Sequence, residues 1–179
     1  NKEIQLTDNY SEPIFRQLWA KKIDSIDYSD YEKATIIHDM NLPIHENIKW
    51  KYTYIFDSGS QEHIFNFPQS IKNIIEMLQE GWWFIGILPT NNWAWHGFYQ
   101  FSPELFYRIF SENNWCEILN IFIRRANKDK SPWYELKDPQ ILWKRCEFKS
   151  YATLSIAVIA KKNSSCAIFK KTPQQSDYV

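Results

Sequence analysis

An α/β fold is predicted for this chain, with a mostly parallel sheet that ends in an antiparallel pair at its C-terminal edge. Three observations predict it. Strand-length apolar runs alternate with helical stripes through the middle of the sequence. Three successive runs each close on an acid. Two final runs, at 117–124 and 153–162, have no strong helix between them, as antiparallel neighbours allow.

In chain order, "KKIDSIDYSD" holds a short alternating strand over 23–27. "KATIIHDMNLP" holds a second over 34–37, followed by His38, Asp39 and a loop marked by proline. "KYTYIFDSGS" gives a β-branched and aromatic run at 52–56 that closes on Asp57, with Ser58 and Gly59 after it. In "PQSIKNIIEMLQ", Ile71, Ile74, Ile75 and Leu78 fall at i, i+3, i+4 and i+7, which predicts a helix over 68–79. Pro68 suits its first turn and Gly81 lies just past its end. The run at 82–88 reads as a buried strand stopped by Pro89. Ser102 is placed as an N-cap and Pro103 as the first residue of a helix with the stripe Leu105, Phe106, Ile109 and Phe110. The tail from Asn163 is polar and aperiodic and is expected to be disordered. One α/β domain over 1–162 and a polar tail over 163–179 is the expected organisation.

The 179 residues suffice for one domain with a core of its own. Lys plus Arg equals Asp plus Glu at 21 each, so no basic field for nucleic acid or a membrane surface is present. Three widely spaced cysteines without a Cys-x-x-Cys pair argue against a disulfide framework or a thiolate zinc site and fit the cytosol. The longest apolar run is far too short to span a bilayer. A soluble cytoplasmic protein acting on a small molecule is expected, with no nucleic-acid or membrane partner.

In an open α/β sheet, ligands lie beyond the carboxyl ends of the strands, so residues that end successive strands line one crevice. A carboxylate there matches the spacing of a ribose diol, which makes Asp27 the candidate ribose ligand. Asp39 is placed to accept from an adenine amino group, and Asp57, Ser58 and Gly59 to form the floor. The alternative, that these acids only solvate strand ends or cap turns, is equally compatible with the pattern.

The blocks "IDSIDYSDYEKATIIHDMNLPI", "FDSGSQEHIFNFPQSIKNIIEML" and "NNWAWHGFYQFSPELFY" resemble the corresponding blocks of bacterial class I S-adenosylmethionine-dependent methyltransferase-like proteins, over roughly residues 10–162. The resemblance implies a Rossmann-like methyltransferase fold with S-adenosylmethionine as cofactor. It implies that Asp27 binds the ribose, that Asp39 and Asn41 approach the adenine, and that Asp57 to Gly59 line the pocket. The glycine-rich first strand of that family is not evident in "NKEIQLTDN", so the natural protein is expected to begin upstream.

The resembling family has glycine where this chain has Trp19, Trp82, Trp95, Trp115 and Trp143. Nine tryptophans stand against four glycines here. Trp115 follows a helix where a left-handed residue ends it, and Trp82 sits at the expected entry from helix to strand. Both places favour glycine. The expectation is that these codons are UGA, read as glycine in the source cell. Trp50, Trp93 and Trp133 are read as ordinary tryptophans, and the alternative is that genuine aromatic loops, Trp82 with Trp83 among them, stack on a ligand.

Glu62 and His63 follow "DSGSQ", and His96 and Tyr99 lie in the loop after the next strand, so these four are the candidate catalytic residues. A histidine can take a proton from an attacking hydroxyl or amine, with Glu62 orienting it, although alignment alone serves many methyl transfers. No metal is assigned, because no helix-spaced pair such as His-Glu-x-x-His is present. The expected activity is methyl transfer to a small-molecule or sugar-linked acceptor. The alternative is a non-catalytic domain of the same type that binds a nucleotide-like ligand or a partner chain. A nucleotide-sugar glycosyltransferase would favour Asp-x-Asp, which "DYSD" is not.

Overall fold

A computed structural model of the chain describes residues 10–128, 130–145, 147–165 and 167–178. The chain divides into two compact units, residues 1–39 and 40–179.

In the first unit, helix α1 (Glu12–Gln17) ends at Trp19, and strand β1 (Ile26–Asp27) pairs in parallel with β2 (Ile36–Ile37). The strands expected over 23–27 and 34–37 are therefore only two residues each. Side chains compete with the ladder at its start: Ser25 N–H donates to Thr35 Oγ1 at 2.8 Å, and the Thr35 hydroxyl donates to the Ser25 carbonyl at 3.0 Å.

The second unit is built on one five-stranded sheet. Its strands are β3 (Tyr52–Ser58), β4 (Leu78–Asn91), β5 (Cys116–Arg125), β6 (Tyr134–Leu136) and β7 (Leu154–Lys162), in the order β3-β4-β7-β5-β6. Only β3 and β4 are parallel; β4 with β7, β7 with β5 and β5 with β6 are antiparallel. This corrects the expected mostly parallel, Rossmann-like methyltransferase sheet: the sheet is mixed and mostly antiparallel. The cause is the position of β7. The runs at 117–124 and 153–162 do pair antiparallel, but β7 lies between β4 and β5 instead of at an edge, so both of its pairings run against its neighbours.

Helix α2 (Phe67–Met77) connects the parallel pair and buries Ile71, Ile74 and Ile75. It stops two residues before the expected end because β4 begins at Leu78. Gln79 to Trp82 consequently lie in a strand, bulged where the β3 register jumps from Leu78 to Trp83, and Gly81 takes the positive φ of 80° there. Trp82 is not the turn residue. The buried side of the sheet is closed by Phe84, Leu88, Ile121, Ile156 and Val158, with Phe84 stacked on Phe110 at 5.4 Å. Helix α3 (Pro103–Ile109) starts on Ser102, whose hydroxyl accepts from Glu104 N–H as its N-cap role predicts. Strand β6 and helix α4 (Pro139–Leu142) are too short to give a periodic signal. Within the segment read as a polar tail, Ile168 is buried, and the amides of Ser165 and Ser176 donate to Glu80 Oε1 and Glu104 Oε1.

Seven described non-glycine residues have positive φ, and four of them are tryptophans: Trp19, Trp50, Trp115 and Trp143, at 63°, 54°, 56° and 51°. This is left-handed backbone, which a bulky side chain enters at a cost on the order of 1–3 kcal/mol. Trp19, Trp115 and Trp143 have the conformation expected of glycine; Trp82 and Trp95 do not. Trp50, read from sequence as unremarkable, does.

Candidate functional site

The carboxyl end of β3 builds the first half of the site. Asp57 is buried, and its Oδ1 accepts from Ser60 N–H at 2.9 Å, which turns the chain sharply after the strand. Gly59 takes φ 91° within this turn, and a Cβ there would stand 3.2 Å from Glu62 Oε1. A 3-10 turn over Gln61–His63 then carries Glu62 inward and His63 outward.

The loop after β4 supplies the second half. Phe98 and Tyr99 both donate their amides to the Glu62 carbonyl, at 2.7 and 3.3 Å, so this loop is docked on the Glu62 turn. Gly97 permits the approach: a Cβ at this position, φ 71°, would lie 2.7 Å from that carbonyl oxygen. The Tyr99 hydroxyl donates to the Phe65 carbonyl at 2.6 Å, and Trp93 Nε1 donates to the Leu154 carbonyl at 2.7 Å, which fixes both ends of the loop.

These contacts place His96 Nε2 3.3 Å and His63 Nε2 3.9 Å from Glu62 Oε1. The imidazoles meet edge to face with centroids 4.7 Å apart, and Trp93 lies 5.2 Å from His96. Glu62 is 1% exposed and its Oε2 has no hydrogen-bond partner, whereas both imidazoles are partly open to solvent. Burial pushes the Glu62 carboxyl above its ordinary 4.5, and Asp57 acts in the same sense. A hydrogen bond from its own backbone amide and the two imidazoles, when charged, oppose this.

Of the residues singled out from the sequence, Asp57, Gly59, Glu62, His63 and His96 meet at this place. Tyr99 secures the loop with its hydroxyl, and Ser58 is exposed at the last position of β3. Asn41 Oδ1 accepts from Asn66 N–H at 2.8 Å, at the start of α2. Asp27 and Asp39 belong to the first unit. Asp27 is exposed, and its Oδ1 accepts from the amide and hydroxyl of Ser29, at 2.8 and 3.3 Å, closing the turn after β1. Asp39 is half-buried just after β2.

Sequence reasoning missed the supports. Asn73, fully buried on α2, donates to the carbonyls of Met40 and Leu42 and accepts from Ile44 N–H, which ties residues 40–44 to the helix. A lone asparagine within the isoleucine stripe of α2 was the available signal. Among the described residues no helix is long and apolar enough to cross a membrane. No family model matches this chain, and no curated protein matches it.

Proposed function

We propose that this protein transfers a methyl group from S-adenosylmethionine to a small-molecule or sugar-linked acceptor in the cytosol, with the acceptor lying against Glu62, His63 and His96. The observation that carries the reading is the buried Glu62 carboxyl, turned toward two accessible imidazoles beyond the carboxyl ends of the parallel pair β3–β4. The cofactor comes from the resemblance of the three sequence blocks.

When bound, S-adenosylmethionine supplies a methyl group on a positively charged sulfur. The chain's own work is alignment, because the acceptor atom, the methyl carbon and the sulfur must lie in line. Glu62, His63 and His96 orient the acceptor's oxygen or nitrogen, and Trp93 walls the space beside His96. At the cofactor end, Ser58 and the left-handed Gly59 leave backbone and hydroxyl open at the end of β3, which fits a polar ligand laid across that turn.

Calorimetric titration of the protein expressed from its complete gene tests this. One-site binding of S-adenosylmethionine, weakened by Ser58→Trp, is the expected result. A folded protein that takes up neither S-adenosylmethionine nor its demethylated product removes the reading.

A further inference from the structure

We propose that Glu62, His63 and His96 bind one divalent first-row transition cation, of the zinc type. The proposal rests on the reading of this cluster as the acceptor site and names what holds the acceptor there. Ligand atoms of the three residues all lie within 4.8 Å of one another, the one such group of three among the described residues. Cations of this class hold imidazole nitrogen and carboxylate oxygen at about 2.0–2.2 Å, so neighbouring tetrahedral ligands stand roughly 3.3–3.5 Å apart. Glu62 and His96 already have that separation at 3.3 Å; His63, at 3.9 Å and half-exposed, would close on the ion by a small inward turn.

Two nitrogens with one carboxylate select a borderline ion over magnesium or calcium, which prefer oxygen alone. The buried Glu62 Oε2 without a hydrogen-bond partner is the second observation. An isolated carboxyl oxygen at this depth is costly, and a cation beside the group offsets that cost. Three protein ligands leave a coordination position open, as in reactive sites and unlike closed structural ones. An acceptor hydroxyl or amine would bind at that position.

Titration of the chelator-treated full-length protein with Co2+, followed by visible absorption and then by displacement with Zn2+, tests the site without cofactor or acceptor. The outcome is thus separate from that of the methyl-transfer assay. One Co2+ per chain is expected, with affinity reduced roughly tenfold or more by His96→Ala and by Glu62→Gln. His96→Ala removes an accessible side chain and serves if Glu62→Gln does not fold. Equal binding by wild type and His96→Ala, or no binding by the folded wild type, overturns the proposal.

A different observation carries a second inference. Three of the four left-handed tryptophans close helix or turn ends with the same hydrogen bond: Ala20 N–H to Phe15 O, Cys116 N–H to Ser111 O and Lys144 N–H to Pro139 O, each spanning five residues. At Trp19 and Trp115 the inner bond of the pair is also present, to Arg16 O and Glu112 O. This arrangement takes glycine at its left-handed position. Trp19 and Trp143 are 86% and 94% exposed, so no packing compensates a large side chain there. We infer that the source cell places glycine at 19, 50, 115 and 143 by reading UGA codons as glycine. Sequencing the gene decides it. UGA at all four codons, with glycine in the corresponding peptides of the native protein by mass spectrometry, is expected; UGG at any of the four overturns it.

Discussion

Lys162 and Glu62 lie equally deep in the second unit, each 1% exposed, and their surroundings differ. Lys162, the last residue of β7, donates from Nζ to the carbonyls of Ile75 at 2.9 Å and Leu78 at 2.7 Å. Its charge therefore sits on the negative end of α2, where the final carbonyls have no partner within the helix. Glu62 directs one oxygen at two partly exposed imidazoles and leaves the other unbonded. Burial alone does not separate a structural ionisable group from a functional one. On the proposed function, the completeness of its bonding does: a fully bonded charge holds elements together, whereas an open carboxyl oxygen is available to a ligand.

The largest expected effect breaks the structural half of this pair. Lys162→Ala strands two helix-end carbonyls and should cost about 3 kcal/mol in urea unfolding, whereas Glu62→Gln should change stability by less than about 1 kcal/mol. Equal losses would erase the distinction. Next comes Gly97→Ala, which drives a Cβ against the Glu62 carbonyl in left-handed backbone. It should cost about 2 kcal/mol and lower Co2+ affinity, read in the same two assays.

Trp143→Gly should stabilise the protein by about 1 kcal/mol, seen as a higher Tm, because it relieves left-handed strain at a side chain that is 94% exposed. At neutral pH the smallest effect belongs to Cys116, which faces Lys162 across the β5–β7 ladder. Burial pushes its thiol from 9.0 up to about 12, against the pull of Lys162. The native thiol thus keeps its proton over a range where the unfolded chain loses it. Stability should be flat below about pH 9 and fall as pH rises from there toward 12. In the native protein at pH 8, peptide-resolved alkylation should leave Cys116 unmodified.

Much of the second unit was legible in the sequence. The isoleucine spacing announced α2, β-branched and aromatic runs announced β3 and β4, and Ser102 with Pro103 announced α3. The loops holding Glu62, His63 and His96 were legible because strand ends are where such residues gather. The central place of β7 was not, since it depends on pairing with strands dozens of residues away and leaves no local trace. Strand β6 and α4 fall below the length at which periodicity speaks. Lys162 carries no local sign of burial, and only the helix-end carbonyls around it reveal why it is buried. Trp50 was misjudged because its left-handed backbone comes from the return of the chain, where Trp50 N–H donates to Glu76 O, a contact between distant segments.

Strand β7 is the last strand among the described residues and yet joins the parallel pair to β5 and β6. Until it leaves the ribosome, the nascent polypeptide has two strand groups with raw facing edges and no partner to unite them. Maturation of this sheet must wait for β7 to emerge, and chaperone demand should be concentrated before that point.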